Sequence, residues 1–209
     1  MARVKKTVAP SPPKQARARE TFEKLLRSTG LLLKEVGVEK ISTNLIAEHA
    51  ALTPPAFYRY FSDKYDVLEA LAKRLMDEQN KLILDLLSSM ETTDFGVESL
   101  ETLILETISL TEAFPGGPWV MRTIRAIPSL EHVRLESHKE MAEAWANFFW
   151  ENMEGADKDT LYRQARLGID IGYAAIELVF DEPDLDRQAI VHDVARAMTL
   201  VAPFLKPGS

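Results

Sequence analysis

The sequence predicts an all-α protein of about nine helices. Proline is absent from residues 56–114 and 129–182, and both stretches are rich in Leu, Ala, Glu, Arg and Met at helical spacing. The alternation of apolar and polar residues that is typical of strands is absent. Proline and glycine clusters separate the helical stretches, so the connections are expected to be short.

The first helix is predicted to run from about Pro13 to Val36, after a flexible basic arm over residues 1–13. Gly37 is well suited to end it, because a helix commonly ends on a glycine with left-handed backbone. Its apolar stripe has helical spacing and consists of Phe22, Leu25, Leu26, Leu32, Leu33 and Val36.

Two short helices follow. The first begins after "EKIST", with Ser42 or Thr43 as its cap, and ends near Ala50. The second starts in "ALTPPAFYRYF", residues 51–61, because proline is favoured at the first helical position, and it is expected to reach Phe61. Together they predict a helix-turn-helix unit.

The proline-led helix is expected to have Thr53 as its N-cap. Pro54 and Pro55 lack an N–H, so Ala56 supplies the first donor, which the Thr53 hydroxyl could accept.

A fourth helix is predicted after Ser62, with Asp63 in its cap or first turn. Its buried side consists of Val67, Leu68, Leu71, Leu75 and Met76. Five further helices are expected within residues 93–114, 118–127, 130–153, 157–180 and 184–205.

The charge is unevenly distributed in this chain of 209 residues with a net charge of -7. Residues 1–64 carry 12 Lys+Arg and 6 Asp+Glu, a balance of +6, whereas the remainder has a balance of -13. A cationic first third on an acidic remainder indicates that one end meets a polyanion.

Several classes of protein do not fit the composition. The chain has no cysteine, which excludes disulfides, thiolate metal sites and cysteine nucleophiles. There is no G-x-S-x-G, no H-E-x-x-H and no phosphate-cradling glycine loop, so we expect no enzyme, no cofactor and no metal site. No segment is as long and apolar as a membrane span, which predicts a soluble, cytoplasmic protein.

The proline-led helix has two different faces. Phe57 and Phe61 are four apart and are expected to face the core. Arg59 on the outer face could hold guanine O6 and N7, and Tyr58 could donate to a phosphate oxygen. The candidate DNA-binding residues are Thr43, Thr53, Pro54, Pro55, Ala56, Tyr58, Arg59, Tyr60 and Lys64.

The segment "STNLIAEHAALTPPAFYRYFSDKYDVLEAL" resembles the DNA-binding signature of TetR-type bacterial transcriptional repressors, within a match over residues 15–72. Two departures concern the turn glycine, which is Ala51, and the small or polar residues before the aromatic pair, which are Pro54 and Pro55. Base reading is therefore expected to depend on Tyr58, Arg59 and contacts of the proline rings with thymine methyl groups.

The resemblance implies a dimeric regulator that binds a palindromic double-stranded operator and is released by a small-molecule effector. It implies a DNA-binding domain at residues 14–62 and a ligand-binding and dimerisation domain at 63–209. Alternatives from the residues alone are a dimer of this fold without a small effector and an all-α carrier or enzyme.

The resemblance also implies that the last two helices pair with those of a symmetry mate. Small residues at i, i+4 and i+7 allow close helix approach, although the same spacing also fits packing within one chain. The candidate interface residues are Gly168, Gly172, Ala175, Ile190, Val194, Ala197 and Val201.

The effector is expected to bind among the aromatic residues of helices six to eight. An apolar pocket with a few polar anchors suits a hydrophobic or aromatic molecule, which could carry a carboxylate. The candidate ligand-binding residues are Trp119, Arg122, Arg125, His138, Trp145, Phe148, Phe149 and Tyr173.

Overall fold

The computed structural model describes residues 13–89 and 95–201. Within them the chain forms helices and no strand, which confirms the predicted all-α fold. Residues 1–12 of the predicted basic arm, and the ends predicted for the fifth helix at residue 93 and the ninth at 205, lie outside the described residues. The helices are α1 (Ala16–Lys40), α2 (Thr43–His49), α3 (Pro54–Phe57), α4 (Lys64–Ser89), α5 (Val97–Ala113), α6 (Gly117–Ala126), α7 (Glu131–Asn152), α8 (Lys158–Asp181) and α9 (Arg187–Val201), with a 3₁₀ turn at Pro128–Leu130.

The long first helix is interrupted at Gly37, where φ is 75° and ψ is 165°. A positive φ is open to glycine at little cost, which agrees with the role predicted for this residue. The regular part of α1 therefore ends at Val36, and a short further turn reaches Lys40.

The start of α3 differs from the prediction at its cap. The Thr53 side chain makes no capping hydrogen bond, and the N–H of Ala56 donates instead to the Thr53 carbonyl oxygen at 2.9 Å. The prediction that the Thr53 hydroxyl accepts this bond is wrong. The backbone carbonyl satisfies the first free donor without help from the side chain.

The end of α3 also differs, since the helix stops at Phe57 rather than at Phe61. Tyr60 donates to the carbonyl of Phe57, three residues back, at 2.9 Å. This tighter bond ends the α pattern after one turn. Phe61 nevertheless donates to the same carbonyl at 3.2 Å, so the chain keeps turning and the two phenylalanines remain on one side.

The chain divides into two compact units, Met1–Leu75 with Pro115–Leu130 and Met76–Phe114 with Glu131–Ser209. Helix α4 contributes residues to both. The first unit takes in α6, which packs on α1. The first boundary between the compact units thus lies at residues 75–76. The boundary at residue 62 was suggested from the sequence by function and not by packing.

The core of the first unit is aromatic. The ring centroids of Phe22 and Phe61 are 5.1 Å apart, those of Phe57 and Phe61 are 5.6 Å apart, and all three side chains are buried. Such contacts add to the stabilisation from burial alone. This cluster holds α3 against α1.

Two glycines allow a close backbone approach in the same unit. A Cβ on Gly30 would lie 2.1 Å from the carbonyl oxygen of Pro115, and one on Gly116 would lie 2.0 Å from the carbonyl oxygen of Gly30. Neither distance is possible for a real side chain. The crossing of α1 with the start of α6 therefore requires glycine at both positions.

The second unit is a helical bundle in which α8 packs against α7 and α9, and α5 packs against α8 and α9. A chain of polar groups runs through it. The Tyr173 hydroxyl donates to Gln79 Oε1 at 3.0 Å, and Gln79 Nε2 donates to Thr111 Oγ1 at 2.7 Å. All three residues are buried, so these bonds satisfy groups that would otherwise cost free energy to desolvate.

Among the described helices, none combines the length and the apolar composition that crossing a bilayer requires.

Candidate nucleic-acid interface and ligand cavity

The outer face of α3 and of the turn that follows it is open to solvent. Tyr58 is 55% exposed, and Arg59, Pro54 and Pro55 are exposed as well, whereas Phe57 is fully buried. Phe57 points inward while Tyr58 and Arg59 point outward, because consecutive residues of a helical turn lie on different sides of it. One short segment thus anchors itself through Phe57 and presents a phenol and a guanidinium to the outside.

The remaining candidates in this segment are less prominent. Tyr60 is half-buried, with its ring centroid 6.4 Å from that of Phe22 in an edge-on arrangement. Thr53 is exposed and Ala56 is half-buried. Tyr60 and Ala56 therefore support the exposed face from its margin.

A hydrogen bond joins the two helices of the unit on this face. The hydroxyls of Thr43, at the start of α2, and Tyr58 lie 2.9 Å apart, and either can be the donor. The sequence marked both residues as separate phosphate ligands. Two hydroxyls carry two protons and their mutual bond uses one, so the pair keeps one proton to donate outward.

Lys64 is half-buried and contacts backbone carbonyls. Its ammonium nitrogen is 3.4 Å from the carbonyl oxygens of both Val38 and Ile41 and 5.5 Å from the ring centroid of Tyr65. Carbonyl oxygens at the end of the first helix attract a cation. The ammonium group therefore contacts the α1–α2 connection, and the contact of Lys64 with DNA stays a prediction.

The turn between α2 and α3 contains a residue in a left-handed conformation. Ala51 has a φ of 55°, where glycine is preferred. The N–H of Leu52 donates to the Ala47 carbonyl at 2.8 Å, and that of Ala51 donates to the Glu48 carbonyl at 2.9 Å. This is the Schellman pattern, so the turn tolerates the Cβ at Ala51 because its hydrogen bonds are complete.

The family model for "Bacterial regulatory proteins, tetR family" matches residues 25–71, which span this helix-turn-helix unit. The chain carries a tetR-family DNA-binding domain. Among curated protein sequences, none matches the chain significantly.

Solved structures of tetR-family regulators share the fold over most of the chain. A regulator from Streptomyces coelicolor is 21% identical, with 88% of this chain and 99% of that chain covered and a TM-score of 0.65. The fatty acid degradation regulator FadR from Bacillus halodurans is 16% identical, with 89% and 96% covered and a TM-score of 0.66. SmeT, the repressor of the Stenotrophomonas maltophilia multidrug efflux pump SmeDEF, solved as a triclosan complex, is 19% identical, with 91% and 96% covered and a TM-score of 0.67.

The second unit contains a cavity of about 60 Å³. Trp145 and Tyr173 contribute rings to its wall, Gly168 and Gly172 contribute one face of α8, and Met198 contributes its side chain from α9. Of the eight candidate ligand-binding residues, the structure brings only Trp145 and Tyr173 to this cavity.

The other candidates lie elsewhere. Trp119, Arg122 and Arg125 belong to α6 in the first unit, where Lys34 and Arg122 lie over the Trp119 ring. Phe148 and Phe149 pack on Phe95 in an aromatic cluster with centroid distances of 5.5 and 5.2 Å. The prediction grouped these residues as the aromatic and polar side chains of helices six to eight. In the structure Arg122 and Arg125 are exposed, Trp119 and Phe148 are half-buried, and Phe149 is buried.

His138 is fully buried beside the cavity residue Tyr173, on whose ring it stacks at 4.3 Å. Burial lowers its pKa to about 4, against the opposing effect of Asp170, whose carboxylate lies 2.8 Å from Nδ1. The ring is therefore neutral near pH 7, with Nδ1–H donating to the carboxylate. Within the described part of the chain, its Nε2 accepts no hydrogen bond.

Asp170 also pairs with Arg166, at 2.5 Å between Oδ2 and Nη1. The hydrogen bonds from Arg166 and His138 lower the pKa of this carboxyl although burial, the largest single influence, raises it. His138 is thus held by Asp170 and Tyr173 next to the cavity, and its role in ligand binding stays a prediction.

Part of the predicted subunit interface is buried inside the single chain. Gly168, Gly172 and Ala175 have almost no exposed surface, which leaves little for a symmetry mate to contact. The candidates on α9 are half-buried, namely Ile190, Val194, Ala197 and Val201.

An exposed apolar stripe lies on another side of α8. Leu167 is 49% exposed and Leu178 is 37% exposed, and between them Ala174 is exposed and Ile171 is half-buried. These four residues, here called the α8 stripe, have the spacing i, i+4, i+7 and i+11. The sequence analysis missed them, although the same periodicity that pointed to the glycines would have found them.

Proposed function

We propose that this protein is a homodimeric transcriptional repressor, which binds a palindromic operator and releases it when a small apolar effector occupies the second unit. The role of transcriptional regulator agrees with the tetR-family domain at residues 25–71. The observation that carries the proposal is the outward display of Tyr58 and Arg59 from a short helix held by Phe57.

The proposed DNA contacts divide into positioning and reading. The hydroxyl pair of Thr43 and Tyr58 donates to a phosphate oxygen and fixes the register. Arg59 reads a guanine through O6 and N7, and the rings of Pro54 and Pro55 contact thymine methyl groups. The cationic balance of residues 1–64 strengthens association with the polyanion.

The proposed dimer forms through the α8 stripe. Exposure of its four apolar side chains to water is unfavourable, and contact with the same stripe of a second copy removes them from water. A two-fold axis then places two α3 helices in successive major grooves, about 34–36 Å apart, which requires a palindromic operator.

We propose residues 14–62 as the DNA-binding domain and residues 63–209 as the domain for effector and dimer contacts. The protein is proposed to act on DNA in the cytoplasm and to have no enzymatic activity.

Effector release needs only modest coupling. A tenfold loss of operator affinity corresponds to about 1.4 kcal/mol, within the usual range for coupled sites. The structure of the similar protein SmeT with triclosan supports a small-molecule effector here.

The test is binding of the full-length protein to promoter DNA beside its own gene, titrated against salt. The DNA affinity of a regulator falls steeply as the salt concentration rises. The slope of log affinity against log salt concentration is roughly proportional to the number of phosphate contacts. Arg59→Ala is expected to lose roughly 1–3 kcal/mol on operator and to relax preference at one base position. Lys139→Ala, which removes an exposed positive charge from α7, is the charge-matched control. Equal losses on operator and random DNA for Arg59→Ala would refute its role as a reader.

A further inference from the structure

The described residues that line the cavity in the second unit offer no charged partner to a ligand. Tyr173 is the one titratable residue among them, and burial raises its pKa, so its phenol is neutral near pH 7. Its hydroxyl already donates to Gln79, and that of Thr107 donates to the Leu103 carbonyl at 2.8 Å. Gln164 supplies a side-chain amide. An ionic ligand would therefore lose its hydration here without gaining a counter-charge.

Two glycines form part of this wall in the middle of α8. Glycine inside a helix is less stable than alanine because its backbone loses more freedom on folding. The packing of the described residues around both glycines leaves room for a methyl group. A Cβ on Gly168 would lie 3.7 Å from Met198 Cε, and one on Gly172 would lie 3.8 Å from Met198 Sδ, which are ordinary contact distances.

Met198 reaches across both glycines from α9. It is buried, and its thioether end is the nearest atom group to the space that the missing side chains leave. Methionine is unbranched and flexible, so it fills irregular gaps and adopts new rotamers at low cost. The space over the glycines is thus filled by a side chain that can leave it.

The size of the cavity agrees with such an exchange. A volume of about 60 Å³ is well below the roughly 150 Å³ of an engineered cavity that binds benzene. An aromatic ring can enter only if a lining side chain moves, and Met198 is the most adaptable of them.

Building on the effector site of the proposed function, we propose that Gly168 and Gly172 form the wall against which a neutral aromatic ligand stacks. The end of the Met198 side chain occupies the place of that ligand in the free protein and swings away on binding. The ligand class is an uncharged aromatic molecule with at most one polar group, for which Gln164 is the partner. This excludes the carboxylate suggested by the sequence.

The test uses three probes of the same shape on the full-length protein: 2-naphthol, 2-naphthoate and 2-naphthylmethylammonium. Calorimetry is expected to show that the neutral probe binds at least about tenfold more tightly than either ion, since each ion would be buried without a counter-charge. Equal affinity for a charged probe, or no binding of 2-naphthol, would overturn the proposal.

Two variants with opposite effects test the wall. Gly172→Ala is expected to raise the melting temperature, because alanine favours the helix, and to weaken 2-naphthol binding about tenfold, because its methyl group occupies the stacking surface. Met198→Ala is expected to lower the melting temperature and to tighten binding, because the place is vacated. A Gly172→Ala protein that is more stable and binds 2-naphthol like the wild type would show that the glycines have no role in binding.

The outcome is separable from that of the proposed function. Calorimetry of Gly172→Ala with 2-naphthol involves no DNA, so a loss of 2-naphthol affinity relative to the wild type reports on the cavity alone. If the wild type binds no operator, the regulatory role fails, while the three-probe and two-variant comparison still decides what the cavity binds.

Discussion

The outer face of α3 and the cavity beside α8 are built on opposite principles. The α3 face is a set of protruding side chains, Tyr58 and Arg59, held by a rigid aromatic core around Phe57. The cavity is defined by side chains that are absent, at Gly168 and Gly172, and by a flexible one that fills the gap. A regular polyanion is best met by groups fixed in advance, whereas a small ligand needs space that the free protein can close.

The two pairs of glycines sharpen this contrast. Gly30 and Gly116 lie where two backbones touch, so any side chain there would collide with main-chain atoms. Among the described residues, the atoms within 4 Å of a Cβ on Gly168 or Gly172 belong to the flexible end of Met198. The first pair allows two backbone segments to pack in contact, whereas the second pair leaves space beside α8.

The largest effect is therefore expected for Gly30→Ala. Its Cβ would lie 2.1 Å from the Pro115 carbonyl oxygen, so the backbones must separate, which costs about 3 kcal/mol in free energy of unfolding. Urea denaturation measures it, with Gly172→Ala as the matched substitution that should gain roughly 0.5–1 kcal/mol. Losses of equal size at both positions would erase the distinction between the pairs.

The free energy of unfolding is expected to fall in acid because His138 is buried beside the cavity. In the unfolded chain this histidine takes up a proton below about pH 6.5, but in the folded chain only near pH 4. Its contribution to stability is thus present above pH 6.5 and is lost as the pH falls toward 4, by about 2–3 kcal/mol at pH 4.5.

Denaturation at pH 6.5 and 4.5 checks this expectation, with His138→Gln as the comparison, since its amide can still donate to Asp170. The wild type should lose more free energy of unfolding than the variant over this interval. An identical loss in both proteins would show that the buried imidazole does not set the acid response.

A smaller effect is expected at the α3 face when the hydroxyl pair is broken. Tyr58→Phe keeps the ring but removes the partner of Thr43, so operator affinity should fall by about 1 kcal/mol, equally on all sequences. Binding to operator and random DNA measures it, and Tyr60→Phe is the control. A loss restricted to one base position would assign Tyr58 to base reading instead of phosphate contact.

A gain of similar or smaller size is expected at the turn between α2 and α3. Ala51→Gly removes the strain of a Cβ at a φ of 55°, which should stabilise the protein by about 1 kcal/mol. The greater conformational freedom of glycine in the unfolded chain reduces this gain. Thermal unfolding of the variant checks this. Destabilisation would mean that the complete hydrogen bonds of the turn already compensate for the strain.

Local patterns in the sequence determined much of the proposed DNA-binding face. The directions of Phe57, Tyr58 and Arg59 follow from their offsets within one helical turn, and Gly37 ends the regular part of α1 as its backbone freedom suggests. Such features depend on residues a few positions apart, whose relative placement the helix geometry prescribes. The charge division along the chain likewise needs no coordinates.

Tertiary structure alone decided what depends on partners distant in the chain. The donors of Lys64 meet carbonyls more than 20 residues away, and Gly168 and Gly172 face a methionine on another helix. Periodicity marks that a helix has an apolar face, but several faces of α8 carry apolar or small residues. Which of them is buried, lines a cavity or stays exposed is set by how whole helices pack, and that packing minimises the free energy of the entire core rather than of any short segment.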